Sequence, residues 1–215
     1  MPWIEQLQSA NWSQASYIAL SAYLLGCFTT GYYLVRMRTG QDIRELGSGS
    51  VGAKNVGRIL GWRGFLTTVL GDICKGISAV WVAHHFTQDD RVLALAMVAV
   101  VVGHIWPAQL WFHGGKGIAT SLGALLIYDY HLIVAFLILF VSFFAVLRKT
   151  VLPGIFAIGC LPLVSMYLAH EPAKVVAVSF VAGLVFITHR KNLLEETFAF
   201  AERRKLHAKH HHPEL

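Results

Sequence analysis

Seven apolar runs alternate with short polar segments along the chain, at residues 15–35, 64–86, 91–104, 117–128, 131–147, 151–169 and 173–188. They repeat at lengths near the roughly 20 residues that a helix needs to cross about 30 Å of hydrocarbon. The pattern predicts an all-α, polytopic membrane protein with seven transmembrane helices. By hydropathy alone, residues 91–112 read as one helix. Gly103, His104 and Pro107 end it near 104, because proline disrupts a helix interior and glycine weakens it. The stretch 105–116 then becomes a partly re-entrant loop, which is tolerated only where protein or a watery cavity covers it.

Composition narrows the class. The 215 residues are 55% hydrophobic and only 14% charged, with mean hydropathy +0.55. Soluble domains carry about 25% charged residues. This excludes a soluble globular enzyme, a disordered chain and a disulfide-rich secreted domain. No polar stretch is long enough to build a separate core. Residues 1–200 are therefore expected to form one integral-membrane domain, followed by a basic, His-rich tail at 201–215 that includes His210, His211 and His212. Cys27, Cys74 and Cys160 lie far apart in apolar runs with no CxxC, and read as small buried hydrophobes. Residues 1–15 hold no Lys or Arg, so the first run lacks the basic start of a cleaved signal peptide.

Charge sets the orientation. With the N-terminus outside, 15 of the 18 Lys and Arg fall on inside segments. The positive-inside rule therefore predicts N-out and C-in, with an odd number of spans. Trp12, Tyr17, Tyr128, Tyr130 and Tyr167 mark the outer interface, and Trp62, Trp106 and Trp111 the inner one. The pI near 9.4 reports topology and an anionic leaflet rather than nucleic-acid binding.

Three polar clusters interrupt the apolar pattern, all on the predicted inside. The first is GSGSVGAKNVGR at 47–58. It has the form GxGxxG, but no strand precedes it and no βαβ unit surrounds it, so a dinucleotide site is rejected. Gly47, Gly49 and Gly52 let backbone N–H groups converge on an anion, with Ser48, Lys54 and Arg58 adding donors and charge. The second is GHIWPAQLWFHGGKGIAT at 103–120. It is no Walker A loop, yet Gly114, Gly115, Lys116 and Gly117 before a helix make an anion seat. Alone, His104 reads as a satisfied interfacial histidine. The third is HRKN at 189–192, where a three-residue offset puts His189 and Asn192 on one helical face. Within the second span, Asp72 and Lys75 are three apart and able to neutralise one another. No metal-ligand set is present.

These clusters, in this order and membrane setting, resemble the bacterial acyl-phosphate:glycerol-3-phosphate acyltransferases. That family's motifs read approximately GSGNxGATNxxR, GHxxPxxxxFxGGKGxAT and HRxNIxRLxxGxE. The resemblance spans roughly residues 20–200. Ser50 and Lys54 depart from the first motif, and Glu195, Glu196, Ala199 and Ala201 from the third. The resemblance implies a seven-helix bundle in the bacterial inner membrane with its active site facing the cytoplasm. It implies acyl transfer from acyl phosphate to the 1-hydroxyl of glycerol 3-phosphate, giving 1-acylglycerol 3-phosphate and phosphate in phospholipid synthesis. Ser48, His189 and Asn192 are then expected as catalytic residues. Gly47, Gly49, Gly52, Asn55, Arg58, Gly114, Gly115, Lys116 and Gly117 are expected to hold phosphate, with Asp72, Lys75 and His104 in support. The expected partners are the two substrates and membrane lipids, with no cofactor, no nucleic acid and a monomeric state. A carrier for a phosphorylated metabolite is the alternative; the chain shows no internal repeat of the kind many transporters carry. A second acyltransferase pattern, HxxxxD, occurs twice from His84 and His85, but on a loop predicted to lie outside.

Overall fold

The structure is a computed structural model describing residues 12–168 and 171–196, and the described residues are helical or irregular, with no strand. We number the helices α1 (Trp12–Cys27), α2 (Thr30–Thr39), α3 (Ala53–Phe86), α4 (Asp90–Ile105), α5 (Ile118–Tyr128), α6 (Tyr130–Leu147), α7 (Val151–Tyr167), α8 (Pro172–Thr188) and α9 (Arg190–Glu196). Two 3-10 turns, Ile43–Glu45 and Ala108–Leu110, sit in the loops after α2 and α4.

Each predicted apolar run coincides with a helical element, with two differences. The first run, expected as one helix over 15–35, is interrupted at Phe28 and Thr29 and continues to Thr39. The second begins earlier, at Ala53, and is broken by Gly61 (φ 72°, ψ −168°), so residues 53–60 form a separate helical arm ahead of the apolar stretch. Among the described residues four helical stretches are long and apolar enough to cross a membrane: Trp12–Thr39, Ala53–Phe86, Asp90–Leu110 and Tyr130–Leu147. A fifth arises if α8 and α9, bent by 59°, count together; α5 and α7 are apolar but shorter.

α4 is the centre of the bundle. Ala96, Met97, Val100 and Val101 are fully buried, packed with Leu125, Leu132, Ile158, Leu161 and Val185 of α5–α8. Small residues bring the helices close. A Cβ on Gly26 would lie 2.2 Å from Val100 O, and one on Gly123 would lie 2.1 Å from Ile73 O. Such contacts are a common way for helices to associate in lipid, where apolar burial alone gives no drive. α6 presents Val134, Leu137, Ile138, Val141 and Phe144 outward. An apolar surface this continuous suits hydrocarbon, not water. Of the cysteines, Cys27 is buried, Cys160 is partly covered and Cys74 is exposed on the bundle surface, so the expectation of three buried thiols holds for one.

A second, smaller core of Val35, Ile43, Val51, Val56 and Leu110 lies under the two loops that carry the first and second polar clusters. It fastens both loops to α2 and to the arm before Gly61.

Candidate active site

The first loop is built around Asn55. This side chain is 1% exposed. Its Oδ1 accepts from Ser48 N at 2.9 Å, and its Nδ2 donates to Leu46 O at 2.9 Å and Ser50 O at 3.0 Å. Gly47 (φ 57°) turns the chain directly over it, where a Cβ would fall 2.3 Å from Oδ1. Gly49 N donates to Leu46 O at 3.0 Å and Gly52 N to Ser50 Oγ at 3.2 Å. Asn55 therefore braces the loop from below. This corrects the expectation that it touches phosphate, and shows that the amides of Ser48, Gly49 and Gly52 serve the loop's own turns. What the loop presents outward is the exposed Ser48, with Lys54 and Arg58 on the arm behind it.

The second loop is tied to the first. Arg44, paired with Asp42 at 2.5 Å and lying 5.4 Å from the Tyr32 ring centroid, donates from Nη1 to Leu110 O at 2.9 Å. The glycine run then folds back on the end of α4. Gly114 N donates to Ile105 O at 3.1 Å and Gly115 N to His104 O at 3.0 Å. These two amides are therefore committed, a second correction to the picture of a glycine cradle of open N–H groups. Gly117 (φ 92°) turns the chain into α5, whose first turn starts beside Lys116. Beneath the loop, Asp72, Lys75 and His104 form one buried cluster. Lys75 Nζ is 3.0 Å from Asp72 Oδ1 and 2.7 Å from His104 Nδ1. The Asp72–Lys75 pair is as expected, whereas His104 belongs to the bundle interior and not to the interface.

Lys116 is where the clusters meet. Its Nζ donates to Asn192 Oδ1 on α9, and its carbonyl accepts from Thr188 Oγ1 at 2.9 Å at the end of α8. Burial holds its amine below the ordinary lysine range. The Glu195 carboxylate opposes that shift, and the charges of Lys54, Arg58 and Lys191 add to it. Among the described residues no carboxylate is ion-paired with Lys54, Arg58 or Lys191. The result is a concentration of positive charge short of counterions, which favours a polyanionic ligand.

His189, after α8, is 4% exposed, and its Nδ1 lies 2.9 Å from Val185 O. A carbonyl only accepts, so Nδ1 carries the proton and Nε2 is left as the acceptor. Burial pushes its pKa down to about 4, partly offset by the Val185 hydrogen bond and reinforced by the Lys116 charge. His189 is therefore neutral at pH 7.

Comparison with known proteins decides the family. Residues 16–196 match the family described as Glycerol-3-phosphate acyltransferase. The chain is 40% identical to "Glycerol-3-phosphate acyltransferase 1" of Desulfitobacterium hafniense over 189 residues, covering 88% of this chain and 94% of that one. The chain belongs to the glycerol-3-phosphate acyltransferase family. A second family member, from Clostridioides difficile, is 39% identical over 82% of this chain and 88% of its own. The family's fold is also matched by a solved structure, "PlsY (YgiH), an integral membrane glycerol 3-phosphate acyltransferase", in its glycerol 3-phosphate form. There the TM-score is 0.80 with 28% identity, over 86% of this chain and 92% of that one. The lysophosphatidic acid form of the same protein matches with TM-score 0.76 and 27% identity. The chain is thus an integral membrane acyltransferase by family.

Within that family frame, the structure brings Arg58, Lys116, His189 and Asn192 to one region, with the Ser48 loop tied alongside, and sets Asp72, Lys75 and His104 underneath. Lys54 and Lys191 join the charge cluster, and Thr188 and Arg44 fasten it. Neither Thr188 nor Arg44 was marked by the sequence, since both act through carbonyls distant in the chain. The departures at 195 and 196 have visible partners: Glu195 acts on Lys116, and Glu196 pairs with Lys149. Ser50 supplies the acceptors for Gly52 and Asn55. Ala199, Ala201 and the tail 201–215 lie outside the described residues. His84 and His85 sit at the far end of α3, about 36 Å of helix beyond Gly61.

Proposed function

We propose that this acyltransferase moves a fatty acyl group from acyl phosphate to the 1-hydroxyl of glycerol 3-phosphate, releasing 1-acylglycerol 3-phosphate and inorganic phosphate. The observation that carries the reading is the meeting of all three polar clusters at Lys116. Two phosphorylated substrates need two sets of cationic donors, and Lys116 and Arg58 with Lys54 and Lys191 supply them. A relative's solved glycerol 3-phosphate form supports that substrate.

The chemistry needs little from the protein beyond positioning. The 1-hydroxyl oxygen attacks the acyl carbonyl carbon, the bond from that carbon to the phosphate oxygen breaks, and phosphate leaves with the electron pair. Well-oriented reactants can gain about 7–11 kcal/mol from this alone. The hydroxyl proton passes to the departing phosphate, which is the stronger base of the two candidates, because His189 with a pKa near 4 is a weak acceptor. His189 Nε2 instead accepts a hydrogen bond that aims the hydroxyl. Asn192 keeps Lys116 directed at phosphate, and Ser48 offers a hydroxyl to the same group. No cofactor or metal enters this scheme.

The membrane arrangement proposed with it has seven spans, the N-terminus outside, the C-terminus and the site in the cytoplasm, and residues 1–200 as a single monomeric domain of the inner membrane. The charge distribution supports it, as does the placement of all three clusters at one end of the bundle. The test is an assay of the purified protein with palmitoyl phosphate and glycerol 3-phosphate, following phosphate release. Turnover with palmitoyl phosphate and little with palmitoyl-CoA is expected; efficient palmitoyl-CoA turnover overturns the choice of donor.

A further inference from the structure

α1 stops at Cys27, so its last carbonyls have no helical N–H ahead of them. Side chains take their place. Lys75 Nζ donates to Gly26 O at 3.1 Å and to Phe28 O at 2.9 Å, and Gln109 Nε2 donates to Cys27 O. Lys75 thereby closes a break in the first apolar helix that the bilayer could not otherwise tolerate. The same Nζ reaches Asp72 Oδ1 and His104 Nδ1, and Asp72 Oδ1 also accepts from Thr30 Oγ1 at 3.3 Å. The side chains of Asp72, Lys75 and His104 are each 4% exposed.

Three of the four neighbours of Nζ are oxygens that only accept, which suits an ammonium with three N–H groups. An ammonium has no lone pair, so His104 Nδ1 is the acceptor and the ring proton belongs on Nε2. That edge of the ring faces the glycine run. A Cβ on Gly115 would lie 2.0 Å from Nε2, and Gly115 N donates back to His104 O. The backbone of Gly115 thus rests on the His104 ring, one residue before Lys116. Glycines have no side chains with which to hold themselves in place, so the support must come from below.

We infer that Lys75 is a positioning residue for the reaction: it locks the His104 ring on which Gly115 rests and so fixes Lys116 against the rest of the site. The inference rests on Lys116 being the phosphate-binding cation. A purely structural Lys75 would only cap carbonyls and neutralise Asp72, and its loss would lower stability without touching the handling of substrate.

A double-mutant cycle on the detergent-purified enzyme separates these. Lys75→Met should reduce kcat/KM for glycerol 3-phosphate with palmitoyl phosphate at least tenfold. Combined with Lys116→Ala, it should add little to the loss caused by Lys116→Ala alone, since residues acting through one another are not additive. Gly115→Ala, which leaves Lys75 in place but drives a methyl into His104, should behave the same way, and carries the test if Lys75→Met does not fold. Losses that multiply in the combined variants overturn the inference. So does a Lys75→Met enzyme with native kinetics and only a lower melting temperature. Near-native kinetics in Lys116→Ala alone instead overturns the phosphate-seat reading, and the inference with it.

Discussion

Among single residues, the cations and the buried polar groups make different demands. Arg58 and Lys116 face the site, so Arg58→Ala and Lys116→Ala should leave the bundle folded and lower activity. Losing a hydrogen bond to a charged group costs about 1.5–3 kcal/mol, an order of magnitude or more in kcat/KM from initial rates. Asn55→Ala should do both kinds of damage. It strands Ser48 N and Ser50 O and leaves Leu46 O with Gly49 N alone, lowering the melting temperature, and it frees the loop that carries Ser48. His189 gives a pH signature. Its folded pKa near 4 lies below the ordinary 6.5, so the unfolded chain binds the extra proton first as pH falls. Its contribution to stability is then complete above about pH 6.5 and is lost between there and pH 4. Melting temperatures followed from pH 7 to pH 5 should fall less steeply in His189→Gln than in the parent, provided that variant folds.

Between elements, what the sequence makes legible is what its local pattern controls. Apolar runs locate the helices, and Pro107 correctly ends α4 near 105, because proline acts on the backbone at its own position, whereas Gly103 lies within α4, where a Cβ would fall 2.2 Å from Tyr23 O of α1. The break at Phe28 and Thr29 carries only the weaker mark of Gly26 and Gly31 on either side. Hydropathy falls at Thr29-Thr30-Gly31 without a proline to fix the position, and the break is held by Lys75 and Gln109, which arrive from elsewhere in the chain. The arm at 53–60 is hidden because its mixed composition does not resemble a span. The glycine-rich loops read from sequence as backbone cradles, since glycine spacing reports freedom of the chain but not where its N–H groups end up. In the fold those amides mostly close turns, and the charge is delivered by side chains from three segments: the arm at 53–60, the loop before α5, and α9. The tie from Arg44 to Leu110 is one such long-range link. Arg44→Ala, which releases the two loops from each other, should raise KM for glycerol 3-phosphate in steady-state assays.

At the scale of the whole molecule, the polar clusters share one end of the bundle, and His84 and His85 occupy the other. The His84→Ala, His85→Ala double variant should therefore retain normal acyl-phosphate activity, and its loss would move the site to the wrong face. In cells, single cysteines placed at Gln88 and Glu171, after the native three are removed, should react with an impermeant thiol reagent added outside. The buried cluster also bears on how the chain reaches the bilayer. Synthesis delivers Gly26 and Phe28 before Lys75, places Asp72 on the same helix three residues ahead, and leaves His104 and Gln109 to follow. The third helix can thus leave the ribosome with its two opposite charges already joined. It meets a first helix whose open carbonyls at Gly26 and Phe28 are waiting, so the ammonium and those two carbonyls are satisfied as soon as the two helices meet, and Cys27 O alone waits for Gln109.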